Sequence, residues 1–205
     1  MNKQKQILLE SLKQKGFSPE ILNAFSKVKR ENFIPGKFRR MAYEDNALPI
    51  GKGQTISQPY TIATMLSFLN LKKGQKILEV GSGCGYVLAL LSELVGKNGN
   101  VFGIETIKEL ADKSKKSAKN LKNVRIYNKN GRLGLGKKSP FDRILISASC
   151  SEIPKPLISQ LKKGGILIAP IGNKFNQSLV SFQKINGKLK IIENFPGFIF
   201  VPLVG

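Results

Sequence analysis

The chain has 205 residues, a hydrophobic content of 41% and a formal net charge of +21. It contains no histidine and two cysteines, Cys84 and Cys150. This argues against a histidine-based triad, a zinc site or a disulfide framework, so we expect no metal and two reduced, buried thiols. No apolar run approaches the about 18 residues of a membrane span, and the first residues lack a signal-peptide pattern. We therefore expect a cytoplasmic protein that is not in a membrane.

The pattern of apolar residues predicts helices first and then an alternation of strands and helices. Residues 1–40 are predicted to be helical, with Ser18 and Pro19 at a helix start. Residues 41–57 are rich in glycine and proline and are predicted to be irregular, and a helix is expected from about Pro59. The remaining elements are strand 76–80, helix 86–95, strand 100–104, helix 107–119, strands 124–128 and 142–147, helix 155–161 and strand 165–169.

This alternation predicts an α/β fold with a Rossmann-like, doubly wound, mostly parallel sheet. Asn186-Gly187 separates two further strands, 178–185 and 188–192, which predicts a C-terminal antiparallel hairpin. We expect one domain over residues 1–205. Within it, residues 1–57 would form a helical and loop cover, and residues 58–205 a ligand-binding α/β core.

Residues 78–86, Leu-Glu-Val-Gly-Ser-Gly-Cys-Gly-Tyr, are typical of a buried strand that ends in a glycine-rich turn before a helix. Glycine tolerates positive φ and lets a ligand approach the backbone. Dinucleotide-binding folds carry Gly-x-Gly-x-x-Gly at this place. The acid Glu79 and the tighter glycine spacing favour S-adenosylmethionine over NAD. The alternative is a strand–turn–helix corner that binds nothing.

Glu105 follows the next predicted strand, about 20 residues beyond the glycine turn, where nucleotide-binding folds place the acid that accepts the ribose hydroxyls. The alternative is a solvated acid at the start of the following helix. Because the chain has no histidine, its chemistry should need little proton transfer. Methyl transfer to an ionised carboxylate meets that condition, since the protein need only align the two reactants.

Basic residues are concentrated between residues 113 and 143, where Asp142 is the single acid. Such a cluster can attract nucleic acid by counterion release. The only aromatic residues there, Tyr127 and Phe141, lie in strand-like runs, so no base-stacking surface is indicated. We favour lysines spread over solvated helix faces and expect no specific nucleic-acid partner.

Residues 51–59, Gly-Lys-Gly-Gln-Thr-Ile-Ser-Gln-Pro, could simply cap the following helix, with Ser57 as the N-cap. However, this segment resembles the signature of the protein-L-isoaspartate O-methyltransferase family. Most of the chain shares the resemblance, which extends over residues 48–50, 78–86, 103–105, 130–134, 140–142, 152–154, 161–165, 170–172 and 200–203.

The resemblance implies that Ser57 is the catalytic serine and that residues 55–57 lie over the methyl donor. It also implies that the glycine turn approaches the methionine part, that Glu105 holds the ribose, and that residues 130 and 131 contact adenine. The expected donor site is S-adenosylmethionine bound by Thr55, Ile56, Glu79, Gly81, Ser82, Gly83, Gly85, Glu105, Thr106, Asn130 and Gly131. S-adenosylhomocysteine would be the product.

Three positions depart from the family pattern. Asn130 stands where the family usually has Asp, Val204 where members often have Thr, and Ile199 where an Arg is common. The first two lie in the expected donor site. The third bears on how the substrate is oriented.

The sequence therefore predicts a monomeric carboxyl methyltransferase that acts on isoaspartyl residues of damaged proteins and peptides. An RNA methyltransferase of the same fold is one alternative, favoured only by the net charge of +21. A catalytically idle, donor-binding relative is another.

Overall fold

The structure is a computed structural model that describes residues 3–204. Two amphipathic helices begin it, α1 over Lys3–Gln14 and α2 over Pro19–Lys27. Ser18 is the N-cap of α2, as its position before Pro19 predicted. The predicted helical region ends earlier than residue 40, because Arg30–Asn32 and Gly36–Met41 form only short 3₁₀ helices.

Residues 41–57, predicted to be irregular, contain a two-stranded antiparallel sheet. Strand β1 spans Leu48–Gly51 and β2 spans Gln54–Ile56, and Leu48 pairs with Ile56. Both strands are shorter than the about 5–6 residues of an average strand, which is why no alternating pattern marks them.

The remaining strands form one seven-stranded sheet in the order β5-β4-β3-β6-β7-β8-β9. Its strands are β3 (Lys76–Val80), β4 (Asn100–Glu105), β5 (Val124–Asn128), β6 (Phe141–Ile146), β7 (Leu161–Gly172), β8 (Gln177–Ile185) and β9 (Lys188–Phe198). The pairs from β5 to β7 are parallel, and β7-β8 and β8-β9 are antiparallel. The predicted Rossmann-like fold and its C-terminal hairpin are confirmed.

Helices cover both faces of this sheet: α3 (Pro59–Leu69), α4 (Tyr86–Val95), α5 (Lys108–Ser117) and α6 (Lys155–Gln160). Neighbouring residues of β3 face opposite ways, so Ile77 packs in one buried cluster with α1 to α4, whereas Leu78 packs in the other with Leu157 of α6. Both cysteines are free and buried. Among residues 3–204, no helix combines the length and apolar character needed to cross a membrane.

The strand order places the ligand crevice. The chain moves outward from β3 to β4 and β5, then returns to the other side of β3 with β6. Ligands of doubly wound sheets bind at the carboxyl ends of the strands beside such a switch point. The glycine turn after β3, Glu105 at the end of β4 and the residues after β6 all lie at this edge.

Candidate active site

Backbone hydrogen bonds join the glycine turn to the neighbouring strand β4. The N–H groups of Gly81 and Ser82 both donate to the carbonyl oxygen of Ile104, at 2.9 and 3.0 Å. Gly81 and Gly83 have φ values of 81° and 51°, which L side chains rarely adopt. The turn therefore needs glycine at both positions and leaves its backbone open to the crevice.

Glu105 joins this turn to the start of α5. Its Oε2 accepts a hydrogen bond from the N–H of Gly83 at 2.8 Å, and its Oε1 accepts one from the N–H of Ile107 at 2.9 Å. The side chain is buried and also lines the crevice. Each carboxylate oxygen keeps lone pairs for a further donor. The alternative interpretation of Glu105 as a solvated acid is wrong, because the side chain is buried, and its contacts with the backbone leave it able to accept from a ligand as well.

A narrow cavity, here called the donor cavity, lies between the glycine turn, the end of β4 and the C-terminal segment. It collects six of the predicted site residues, namely Thr55, Gly81, Gly83, Glu105, Thr106 and Gly131. Its other lining residues are Ile50, Gln54, Val80, Ile104, Ile107, Ser147, Ala148, Val201, Pro202, Leu203 and Val204.

A second, smaller cavity under the glycine turn, here called the inner cavity, is lined by three predicted residues that the donor cavity lacks, Ile56, Glu79 and Ser82, together with Thr55, Gly81 and Gly83. Two others line neither cavity. Gly85 is needed for packing, since a Cβ there would lie 2.4 Å from the Oγ of Ser114 on α5. Asn130 turns its Oδ1 to the N–H of Arg132 at 2.9 Å, where it caps a short 3₁₀ helix.

The buried carboxyl of Glu79 is partnered on one side only. Its Oε1 accepts a hydrogen bond from the Ser147 hydroxyl at 2.8 Å, and Oε2 has no partner among the described residues. Burial raises the pKa of Glu79 to about 8; the Ser147 hydrogen bond opposes this shift, and the charge of Glu105 adds to it. Glu79 is therefore mostly protonated near neutral pH.

A wider opening of about 430 Å³, here called the acceptor cleft, adjoins the donor cavity. It shares Thr55, Ser147 and Val201 with that cavity. Its other lining residues are Ala47, Ser57, Gln58, Tyr60, Thr61, Phe195, Pro196, Gly197, Phe198, Ile199 and Phe200. None of these lining residues is Lys, Arg, Asp or Glu. This is notable in a chain whose net charge is +21.

Ser57 is half-buried and lines both the acceptor cleft and the inner cavity. The interpretation of Ser57 as a helix cap is wrong. The N-cap of α3 is Gln58, and the N–H of Tyr60 donates to the Oδ1 of Asp45 at 2.7 Å. Within residues 3–204 the Ser57 hydroxyl has no hydrogen-bond partner, so it is free to act on a ligand.

The buried Arg30 holds this serine in place, and nothing in the sequence distinguished it. Its guanidinium donates to the carbonyl oxygens of Ala42 (2.8 Å), Glu44 (3.5 Å), Asn46 (3.0 Å) and Ser57 (3.1 Å). Burial lowers the pKa of Arg30, but an arginine remains a cation at neutral pH. One side chain therefore ties the segment before β1 to the residue that opens onto the cleft.

The C-terminal segment closes the site through backbone hydrogen bonds with Ser149. The N–H of Ser149 donates to the Val201 carbonyl, and the N–H of Leu203 donates to the Ser149 carbonyl, each at 2.8 Å. Of the two departures in this segment, Val204 lines the donor cavity and Ile199 the acceptor cleft, where it is 76% exposed. No group of three or more Cys, Asp or Glu residues within the described range is arranged to hold a metal ion.

We predict that Arg30→Ala destabilises the protein and impairs the site together. Four buried or half-buried carbonyls lose a donor, so the free energy of unfolding should fall by about 2–4 kcal/mol. Arg30→Lys should lie between wild type and Ala, because one ammonium cannot span the same carbonyls. Urea unfolding of the three proteins measures the effect. Equal stability of Ala and wild type would contradict this role.

The sequence matches the family described as Protein-L-isoaspartate(D-aspartate) O-methyltransferase (PCMT) over residues 2–205. A protein-L-isoaspartate O-methyltransferase of Methanothrix thermoacetophila is 43% identical over 203 residues, which cover 98% of this chain and 95% of that protein. Another, of Dictyoglomus turgidum, is 45% identical over 201 residues, covering 97% and 90%.

Two solved structures are also similar. One, a protein-L-isoaspartate O-methyltransferase, aligns with a TM-score of 0.91 and 30% identity, covering 98% of this chain and 66% of its own. The other is a putative protein-L-isoaspartate O-methyltransferase from Plasmodium falciparum in complex with S-adenosyl-L-homocysteine, with a TM-score of 0.86, 31% identity and coverage of 100% and 99%. This chain belongs to the protein-L-isoaspartate(D-aspartate) O-methyltransferase family.

Proposed function

We propose that this protein transfers a methyl group from S-adenosylmethionine to the free carboxylate of isoaspartyl residues in proteins and peptides. The neutral ester that results invites attack by the adjacent amide nitrogen, which begins repair through a succinimide. The observation that carries the proposal is the unpartnered Ser57 hydroxyl, which opens into a cleft without charged lining residues beside the donor cavity.

The residues that line the donor cavity suit S-adenosylmethionine in their chemistry. A Cβ added to Gly83 would lie 3.1 Å from Ile50, and one added to Gly131 would lie 2.6 Å from Val80, so the backbone approaches its neighbours closely there. Two buried oxygens that border the adjoining inner cavity, Ser82 Oγ and Glu79 Oε2, have no partner among the described residues. Unpaired buried polar atoms at the edge of a cavity suit a ligand with polar groups of its own.

The roles of the donor-site residues are part of this proposal. Glu105 would accept the ribose hydroxyls with the lone pairs that its two backbone contacts leave. Gly81, Ser82 and Gly83 would approach the methionine part. Gly131 would contact adenine through its backbone, while Asn130 holds the turn in which Gly131 lies.

When bound, S-adenosylmethionine supplies a methyl group on a positively charged sulfur, which an ionised carboxylate can accept without any proton transfer. The protein then has only to align and desolvate the reactants. The Ser57 hydroxyl would donate to one carboxylate oxygen and leave the other facing the donor cavity. A lysine or arginine in the cleft would stabilise the carboxylate more than the neutral ester, and the cleft lining contains neither.

The division into a cover over residues 1–57 and a donor-binding core over residues 58–205 stays a prediction. The same holds for a monomeric state, a cytoplasmic location and the absence of a specific nucleic-acid partner. Lys115, Lys116 and Lys119 are exposed on and just after α5, on the sheet edge away from the acceptor cleft.

We predict that labelled methyl groups pass from the donor to an isoaspartyl peptide and not to its aspartyl twin. The label should leave as methanol in mild alkali, because a carboxyl ester hydrolyses readily. Bulk RNA, tested in parallel, should stay unlabelled. Alkali-stable label in RNA would support the RNA methyltransferase instead, and donor binding without any transfer would support the idle relative.

We predict that Ser57→Ala lowers kcat/KM for the isoaspartyl peptide by about 10- to 100-fold, because one hydrogen bond to a charged oxygen is lost. The melting temperature should stay close to wild type, since the hydroxyl has no partner within residues 3–204. Ser57→Thr, which keeps the hydroxyl, serves as the matched control. A stability loss with normal turnover would refute the catalytic role.

We predict that Glu105→Gln weakens the binding of both S-adenosylmethionine and S-adenosylhomocysteine, by about 1.5–3 kcal/mol, because the ribose and its hydroxyls are common to both ligands. Calorimetric titration of each ligand measures this loss, with Glu109→Gln on the exposed surface of α5 as the control. Unchanged affinity would place the ribose contact elsewhere.

A further inference from the structure

Ser147 lies where the cavities of the site meet. It follows β6, and its N–H donates to the carbonyl oxygen of Val80 at 2.8 Å, which sets it beside the glycine turn. It lines the acceptor cleft, the donor cavity and the inner cavity, and Thr55 is the other residue that lines all three. A residue in this position faces the place where the methyl group would pass from donor to acceptor.

A hydrogen bond to the buried Glu79 fixes the orientation of the Ser147 hydroxyl. Its Oγ donates to Oε1 of Glu79 at 2.8 Å, and Glu79 is 1% exposed. A serine hydroxyl has a single proton, so this bond leaves Oγ only as an acceptor towards the cavities. The protonated Glu79 can keep this arrangement, with its proton on Oε2 and Oε1 still accepting from Ser147.

The Ser57 and Ser147 hydroxyls therefore present opposite polarities at the junction, the place where the three cavities meet. Ser57 has a free proton to donate, which suits a carboxylate. Ser147 presents an oxygen whose dipole points its negative end into the junction, which suits a cation.

We propose that Ser147, held by Glu79, is the group by which this enzyme distinguishes its cationic methyl donor from the neutral product. The inference rests on the proposed function, because it takes the donor cavity to bind S-adenosylmethionine. A sulfonium polarises the hydrogens of its methyl group, and such hydrogens are attracted to an oxygen acceptor. The product thioether lacks both the charge and the methyl group, so it loses this attraction and leaves more readily.

The competing explanation is structural, with Ser147 serving only to satisfy the buried carboxyl of Glu79. The two explanations differ in what they predict for binding. A structural role would alter donor and product affinity alike, because their remaining atoms are the same. A role in recognising the sulfonium alters donor affinity alone.

The test is calorimetric titration of S-adenosylmethionine and S-adenosylhomocysteine, separately and without any acceptor, into wild type and Ser147→Ala. We expect donor affinity to fall about two- to fivefold, the equivalent of one C–H···O contact, with product affinity unchanged. Ser147→Thr, which keeps the hydroxyl, should restore the preference for the donor.

A second pair of variants tests the part played by Glu79. Glu79→Gln keeps a carbonyl acceptor for the Ser147 hydroxyl and should retain the preference for the donor. Glu79→Leu removes this acceptor and should behave like Ser147→Ala. Equal losses for both ligands in Ser147→Ala, or no loss for either, would overturn the proposal.

The same titrations distinguish a failure of the proposed donor binding from a failure of the proposed role of Ser147. If wild type binds neither ligand, the donor assignment itself fails. If wild type binds both and Ser147→Ala shows no selective effect, only the role of Ser147 fails. Activity on isoaspartyl peptides does not enter either result.

Discussion

The site depends on the attachment of the glycine turn to the end of β4. Two N–H groups of the turn share the Ile104 carbonyl, and a third, that of Gly83, donates to Glu105. Because the same carboxylate also accepts from Ile107, one side chain sets the relative positions of β3, β4 and α5 at the carboxyl edge of the sheet. In the proposed function, the donor ribose would bind to the remaining lone pairs of the Glu105 carboxylate, which already holds these elements together.

Charge is distributed around the site in a way that suits the proposed reaction. The chain carries 34 basic residues, yet none of them lines the acceptor cleft. Transfer from a sulfonium to a carboxylate removes one charge of each sign, so fixed counter-charges near the reacting atoms would favour the reactants. The buried Glu79 fits the same logic, since burial raises its pKa to about 8 and keeps it mostly neutral.

Sequence reasoning succeeded where a pattern is local and repeated. The buried strands β3, β4 and β6 are mostly apolar, and the Asn186-Gly187 turn marks the hairpin, so the order of the main elements could be predicted. The antiparallel β1–β2 pair could not, because both strands are short and β1 contains Pro49 and Gly51. Strand β9 continues to Phe198, well past residue 192, because an edge strand tolerates Pro196 and Gly197.

The missed features of the site depend on contacts between distant residues. The carboxylate of Asp45, 15 residues before Tyr60, accepts from an N–H group in the first turn of α3. Ser57 is therefore not needed as the cap of that helix. Arg30 is one of 34 basic residues and stands out only when its buried guanidinium is seen to donate to four carbonyls. Ser147 gains its importance from the meeting of three cavities, which no spacing in the sequence encodes.

The most direct test of this account is a crystal structure of the protein with S-adenosylhomocysteine and an isoaspartyl peptide. We expect one oxygen of the isoaspartyl carboxylate within hydrogen-bond distance of Ser57 Oγ and the other facing the product sulfur. We also expect no lysine or arginine within hydrogen-bond distance of that carboxylate. A carboxylate bound away from Ser57, or held by a basic side chain, would contradict it.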